Sequence, residues 1–303
     1  MTLSGHIPDH IPGHIPGPTP GRISGSTRVF LILGDPVAQV RAPELFNHLF
    51  ARHGADAVLV PAQVAAGDLA GFVRHVLKAR NIDGLWLAIP HKTAMVDLLD
   101  RCDRLGRSAG AVNAVRRDAD GTLEGALFDG VGFTKALAHF GLPAAGRSAL
   151  VVGVGGGGVA IATSLAAAGA SRIALFDTAP GRAAAMAGRL AGEFGVDVVS
   201  LARPDPAGFA LVVNATPLGL RPDDPLPFDT ARTDAGAVVV DILMKNQPTP
   251  LLRACRARGI VAHPGFEMLV QQVPEYLSFF GFDRIAQAVQ DDASELRALF
   301  GAP

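Results

Sequence analysis

From Arg28 onward, short apolar runs alternate with stretches in which apolar side chains return every three or four positions. Val29-Phe30-Leu31-Ile32-Leu33 reads as a buried strand. Pro43 suits a first helical turn, and the pairs Leu45/Phe46 and Leu49/Phe50 then fall on one helical face. Val58-Leu59-Val60 predicts a second strand, and Leu69, Phe72, Val73, Val76 and Leu77 form a helical stripe. Gly84-Leu85-Trp86-Leu87-Ala88-Ile89 predicts a third strand, ended by Pro90. Such alternation predicts a parallel, doubly wound α/β sheet. A second series begins near Ser148: a strand at Ala149-Leu150-Val151-Val152, a helix from Val159 to Ala168 ended by Gly169, and a strand at Arg172 to Phe176. Further strands are expected at Ala210 to Val213 and Ala237 to Val240, with helix over most of Phe266 to Phe300. Two consecutive α/β series imply two lobes with a cleft between them, where ligands bind by default.

Composition narrows this picture. A chain of 303 residues, 49% hydrophobic, is long enough for two domains with substantial cores. A net charge of -1 and the absence of Lys/Arg runs argue against a nucleic-acid surface. Cys102 and Cys255 form neither a disulfide framework nor a metal site. No apolar stretch is long enough for a bilayer and no secretory signal is readable, so a cytoplasmic location and no membrane partner are expected. Met1 to Thr27 is a Pro/Gly/His-rich segment with the units His6-Ile7-Pro8-Asp9, His10-Ile11-Pro12-Gly13 and His14-Ile15-Pro16-Gly17. Pro every fourth residue blocks helix propagation, so this segment reads as a flexible tail, with a weak His-based metal site as the alternative.

The strongest chemical signal is Gly153-Val154-Gly155-Gly156-Gly157-Gly158, between a strand and a helix. This satisfies G-x-G-x-x-G in the context that a dinucleotide site needs. The glycines permit a tight turn, a close approach to pyrophosphate and close helix–strand packing. Asp177 ends the next strand. A carboxylate there can accept hydrogen bonds from both ribose hydroxyls of NAD and would repel the 2′-phosphate of NADP, which predicts NAD over NADP. Asp177 can also be read as a helix N-cap, and Arg182 is the one nearby cation that argues for NADP.

Several further stretches, in order, resemble the shikimate/quinate dehydrogenase family. They are Gly34-Asp35-Pro36-Val37 with Ala42-Pro43 and Asn47, Ile89-Pro90-His91-Lys92, Gly110-Ala111-Val112-Asn113-Ala114-Val115 and Asp129-Gly130-Val131-Gly132-Phe133. After the glycine loop come Asn214-Ala215-Thr216-Pro217-Leu218-Gly219, Thr249-Pro250-Leu251-Leu252 and Met268-Leu269-Val270-Gln271-Gln272. The resemblance implies a two-lobed α/β fold. Residues 28–130 with 264–303 would be the substrate-binding and catalytic domain, and 131–263 a Rossmann-type, doubly wound dinucleotide-binding domain. It implies Lys92 and Asp129 as the catalytic pair, and Asn113 and Gln272 on ring hydroxyls. Asn214, Thr216, Ile242, Gly265 and Met268 would join the glycines and Asp177 around the cofactor. Chemistry agrees: oxidising a secondary alcohol needs a hydride acceptor and a base for the hydroxyl proton; a lysine held by a carboxylate can be that base, or Asp129 can hold the substrate hydroxyl directly.

Each of these residues also has a plainer reading. Lys92 can be a solvated lysine opening a helix, Asp129-Gly130 a turn pair, Asn113 a loop anchor, Gln272 an exposed helix residue and His91 a surface histidine. Moreover, the family's carboxylate grip is rewritten. Its two hydroxyl side chains before the first helix are Val40 and Ala42 here, its Asn-x-Thr is Trp86-Leu87-Ala88, its Asn-Thr before the catalytic Asp is Leu127-Phe128, and a tyrosine is Met244. Burying a carboxylate against such surface costs several kcal/mol or more, unless Arg41 replaces the lost partners.

The sequence therefore predicts an NAD-preferring dehydrogenase for a cyclic hydroxy compound, with Trp86 and Phe128 lining a more apolar pocket and the chain a monomer or homodimer. Alternatives are a non-catalytic ligand sensor on the same scaffold, and a folate-linked dehydrogenase, which leaves the spacing of Asn113, Asp129 and Gln272 unexplained. No metal site is expected.

Overall fold

The computed structural model describes residues 23–221, 223–244 and 247–300, so the His-x-Pro units of the tail lie outside the described residues. The first sheet is built from β1 (Arg28–Gly34), β2 (Ala57–Gln63), β3 (Ile82–Leu87), β4 (Arg101–Cys102), β5 (Ala114–Arg117) and β6 (Leu123–Ala126), in the order β2-β1-β3-β5-β6-β4. Helices α1 (Ala42–Arg52), α2 (Leu69–Val76), α3 (His91–Ala94) and α4 (Arg104–Ala109) connect its strands. The purely parallel expectation fails here: β3 pairs with β5, and β5 with β6, in antiparallel register. These late strands are two to four residues long, too short to carry a readable period.

The second sheet is parallel throughout and follows α5 (Asp129–His139). It comprises β7 (Ser148–Val152), β8 (Arg172–Phe176), β9 (Asp197–Ser200), β10 (Leu211–Asn214), β11 (Val238–Asp241) and β12 (Val261–Pro264), in the order β12-β11-β10-β7-β8-β9. That is the doubly wound dinucleotide-binding order, whose direction reverses between β7 and β10. Its crossovers include α6 (Gly156–Ala167), α7 (Arg182–Phe194) and α8 (Pro250–Ala257). The chain ends in α9 (Phe266–Phe279), α10 (Asp283–Asp291) and α11 (Ser294–Phe300).

Burial follows from the sequence pattern. Helix α6 is buried on all sides from Gly158 to Ala166, as an apolar helix with no polar face must be. On one face of the first sheet, Phe30, Phe46, Phe50 and Trp86 pack with Val270, Val273, Tyr276 and Phe280 of the C-terminal helical region. Leu69, Val73 and Leu77 cover the other face. Helix α5 links the lobes, and the expected boundary at 130/131 falls inside it. A Cβ at Gly130 would lie 2.1 Å from the Ala160 carbonyl oxygen of α6, and one at Gly132 would lie 2.4 Å from the Met268 carbonyl oxygen of α9. This contact fixes what α5 carries relative to both neighbours.

Candidate active site

Lys92 and Asp129 come together where α3, α5 and α6 meet. Lys92 Nζ donates to Asp129 Oδ2 at 2.5 Å, with both side chains largely buried. Asp129 is the first residue of α5 rather than a turn residue, and is 6% exposed. The aliphatic stem of Lys92 lies against the glycine turn: a Cβ at Gly156 would meet Lys92 Cδ at 3.4 Å. An ion pair that could move a proton thus stands at the mouth of the nucleotide motif.

Beside the pair, Asn113 is fully buried and its orientation is set by its neighbours. Its Oδ1 accepts from the Phe128 backbone N–H at 2.9 Å, and its carbonyl accepts from Leu87 N–H at 2.8 Å and Tyr276 Oη at 3.2 Å. Among the described residues Asn113 Nδ2 has no partner, nor does the buried Gln272 Oε1. Unsatisfied buried polar atoms are rare and mark where a ligand can supply the missing partner. Tyr276, one helical turn beyond Gln272, was not anticipated from sequence, although the i, i+4 spacing on α9 signals a shared face. Burial, and then the Asp129 carboxylate, hold its phenol well above the usual range, so it remains a donor.

The expected apolar wall requires correction. Trp86 is 2% exposed and does not line a cleft. Its ring stacks on Tyr276 (5.4 Å, 2°) and Phe280 (4.1 Å, 19°), so it belongs to the aromatic core beneath the site. Phe128 is partly buried edge-on to Tyr276 and Phe279. His91 is not a surface histidine: it is 1% exposed and its Nε2 lies 2.9 Å from the Val64 carbonyl oxygen. Arg41 sits 3.2 Å from Glu44 Oε2 and lines a cleft of about 630 Å³ with Met244, His263, Phe266 and Glu267.

The residues expected around a cofactor gather near the carboxyl edge of the second sheet, beside its switch point. Gly153 adopts φ 97° after β7, and a Cβ there would press on Ala215 at 2.8 Å and on Thr216 Cγ2 at 3.0 Å. Gly155 precedes α6 with open space around it and no side chain capping the helix, while Gly156, Gly157 and Gly158 form its first turn. The free N–H groups of such a turn suit a pyrophosphate. Ile242 Cδ1 would lie 3.0 Å from a Cβ at Gly157, and a Cβ at Gly265 would lie 2.5 Å from the Ile242 Cα. Met268 is buried in the core around α6. Asn214 is fully buried with its side chain committed to Thr216 and Asp241, so it shapes the crevice rather than facing it.

Asp177 is tied to the glycine turn and does not cap α7. Its Oδ2 accepts from Val154 N–H and its Oδ1 from Ala179 N–H, each at 2.8 Å, and Arg182 Nη1 lies 3.6 Å away. Gly181, not Asp177, occupies the N-cap of α7. The carboxylate braces the glycine turn, and Arg182 offsets the charge that was expected to repel a 2′-phosphate. Both cysteines are free, with thiols pushed up to about 11 chiefly by burial, which leaves them protonated and unreactive. Among the described residues there is no cluster of metal-ligating side chains, and no helix is long and apolar enough to cross a membrane.

Comparison with known proteins matches this architecture. The model of the shikimate dehydrogenase substrate binding domain fits residues 32–115. The shikimate dehydrogenase (NADP(+)) of Rubrobacter xylanophilus is 40% identical over 255 residues, covering 83% of this chain and 89% of its own. That of Acidiphilium cryptum is 41% identical over 274 residues, 89% and 95% of the two chains. Shikimate 5-dehydrogenase of Listeria monocytogenes, solved with shikimate and NAD, superposes with a TM-score of 0.79 at 25% identity, over 89% and 98% of the chains. The ligand-free 5-ketofructose reductase of Gluconobacter sp. gives 0.77 at 26% identity, over 88% and 99%. The NAD preference inferred from Asp177 is overturned by the two sequence relatives, both NADP(+) enzymes, in keeping with an Asp177 that serves the turn. With two relatives of this similarity matched along nearly their whole lengths, the chain belongs to the shikimate dehydrogenase family.

Proposed function

We propose that the protein is an NADP-linked dehydrogenase that interconverts a cyclic secondary alcohol and its ketone, with residues 28–130 and 264–303 forming the substrate lobe and 131–263 the cofactor lobe. The observation that carries this reading is the Lys92–Asp129 ion pair packed against Gly156 of the nucleotide turn. The nicotinamide cofactor supplies the hydride acceptor or donor when bound. The glycine turn fits it: open space at Gly155, an uncapped α6, and Thr216 and Ile242 as flanking walls. Arg182, 3.6 Å from Asp177 Oδ1 beside the glycine turn, is the cation that would meet a 2′-phosphate.

In the oxidising direction the substrate hydroxyl gives up its proton to the Lys92–Asp129 pair as hydride leaves the same carbon. In the reducing direction the Lys92 ammonium protonates the forming alkoxide while Asp129 keeps it aimed. Asn113 Nδ2 donates to one neighbouring oxygen of the ring and Gln272 Oε1 accepts from another, satisfying the two orphaned atoms. Val40, Ala42 and Ala88 give a carboxylate no hydroxyl partner, so an uncharged ring or a ketose suits the site better than shikimate. The structural kinship with a 5-ketofructose reductase supports this, since a ketose carries no carboxylate.

The test is an initial-rate assay that follows reduced cofactor, with NADP crossed against shikimate, quinate, ketoses and uncharged cyclic alcohols. Turnover of an uncharged substrate is expected, and Lys92→Ala should lower kcat by about 10²–10⁴-fold with the fold retained. Binding of NADP without turnover of any alcohol would replace this reading with a ligand sensor.

A further inference from the structure

Asn214 and Asp241 are register partners at the carboxyl ends of β10 and β11, and Asn214 pairs in turn with Val152, just before the glycine turn. Both side chains are fully buried. A carboxylate so placed has lost its hydration and persists only where donors replace the water. Three donors do so. Asn214 Nδ2 donates to Asp241 Oδ1 at 3.0 Å, Leu243 N–H to the same oxygen at 3.2 Å, and Thr249 Oγ1 to Oδ2 at 2.6 Å. Thr249 Oγ1 itself accepts from Leu252 N–H as the N-cap of α8. The network extends both ways: Asn214 Oδ1 accepts from the backbone and hydroxyl of Thr216, and the Asp241 carbonyl accepts from Gly265 N–H at 2.6 Å.

The segments tied together this way carry the flank of the nucleotide turn. Ala215 and Thr216 lie so close to Gly153, and Ile242 to Gly157, that a Cβ at either glycine would come within 2.8–3.0 Å of them. We propose that Asp241 is a positioning residue for the cofactor: it clamps the loops after β10 and β11 to the start of α8, and so sets NADP(H) affinity through Thr216 and Ile242 without touching the nucleotide. This rests on the reading of the glycine turn as the nucleotide site.

The experiment is a calorimetric titration of the full chain with NADPH, each variant held well below its own melting temperature. Asp241→Ala removes all three acceptor contacts and should weaken binding by about tenfold or more. Asp241→Asn keeps an oxygen for Asn214 and Leu243 but presents a donor where Thr249 Oγ1 had an acceptor, so its affinity should fall between those of wild type and Asp241→Ala. A merely destabilised fold would lower the melting temperature and leave affinity below it unmoved. Thr249→Val, which removes the Oδ2 donor alone, should weaken binding to an intermediate degree and stands in if Asp241→Ala does not fold. Affinity within about twofold of wild type for Asp241→Ala, or for Thr249→Val in its place, would overturn the proposal. A wild type that fails to bind NADPH would overturn the nucleotide reading and this inference with it, whereas wild-type binding with unmoved variants overturns this inference alone.

Discussion

Gly130→Ala places the smallest possible wedge between α5, which carries Asp129, and α6. The new Cβ would lie 2.1 Å from the Ala160 carbonyl oxygen and 2.3 Å from Ser164 Oγ. Ser164 can rotate away, but the Ala160 carbonyl is backbone of α6. A carbon–oxygen contact needs about 3.3 Å, so α5 and α6 must part by about 1 Å. Helix α5 has no slack to give, because a Cβ at Gly132 would already lie 2.4 Å from the Met268 carbonyl oxygen on its other side. Overpacking of this kind costs about 1–3 kcal/mol of stability. The functional cost is larger in kind, since Asp129 immediately precedes the wedge and Lys92 rests on Gly156 of the helix being displaced. Misplacing reacting groups by about 1 Å lowers turnover by about 10²-fold. The control is Gly188→Ala on the exposed side of α7, where a Cβ meets nothing within 4 Å. It should gain about 0.5–1 kcal/mol and leave rates unchanged. Urea unfolding reads the stabilities and NADP-linked initial rates read the turnover. A Gly130→Ala protein within about 0.5 kcal/mol of wild type and fully active would refute the argument that α5 is locked between its neighbours.

Two further outcomes are expected. Val40 and Ala42 are partly buried against the aromatic cluster of the first sheet. Val40→Ser with Ala42→Ser restores two hydroxyl donors and should raise kcat/KM for shikimate by about tenfold or more, at about 1.5–3 kcal/mol per hydrogen bond to a charged group; no gain would show that the carboxylate, if bound at all, is held elsewhere. His263 stacks on Phe140 at 4.2 Å, and burial pushes its pKa below the usual value. The unfolded chain therefore binds a proton near pH 6.5 that the folded chain resists, so stability falls as pH drops through that range. His263→Gln should flatten the acid-side slope in denaturant titrations between about pH 7 and 5, and an identical slope would remove His263 as its source.

The sequence by itself determined the parts whose signal is local. The apolar runs of β1, β3, β7, β8, β10 and β11 and the amphipathic stripe of α1 are readable because a strand or helix buries a face with a fixed period. The glycine turn is readable because pyrophosphate binding needs several glycines within a few residues of one another. Lys92 and Asp129 were legible only through the order of the family's motifs, since a Pro-x-Lys and an Asp-Gly taken singly are ordinary loop chemistry.

The tertiary structure decided what depends on direction and on distant partners. Trp86 reads as a pocket wall along the chain, but strand alternation turns it into the core, where Tyr276 and Phe280 supply its stacking surface. Asp177 reads as a ribose ligand by spacing, and only the fold shows that its oxygens also accept from Val154 and Ala179, because the glycine turn folds back onto it. Asp241 ends a strand whose apolar run is readable, but its place as a junction appears only when β10 and Thr249 come beside it. Tyr276 meets Asn113 across 163 positions of chain. Side-chain periodicity fixes which face is buried, whereas the partner that satisfies a buried polar atom is chosen by how the elements pack in three dimensions.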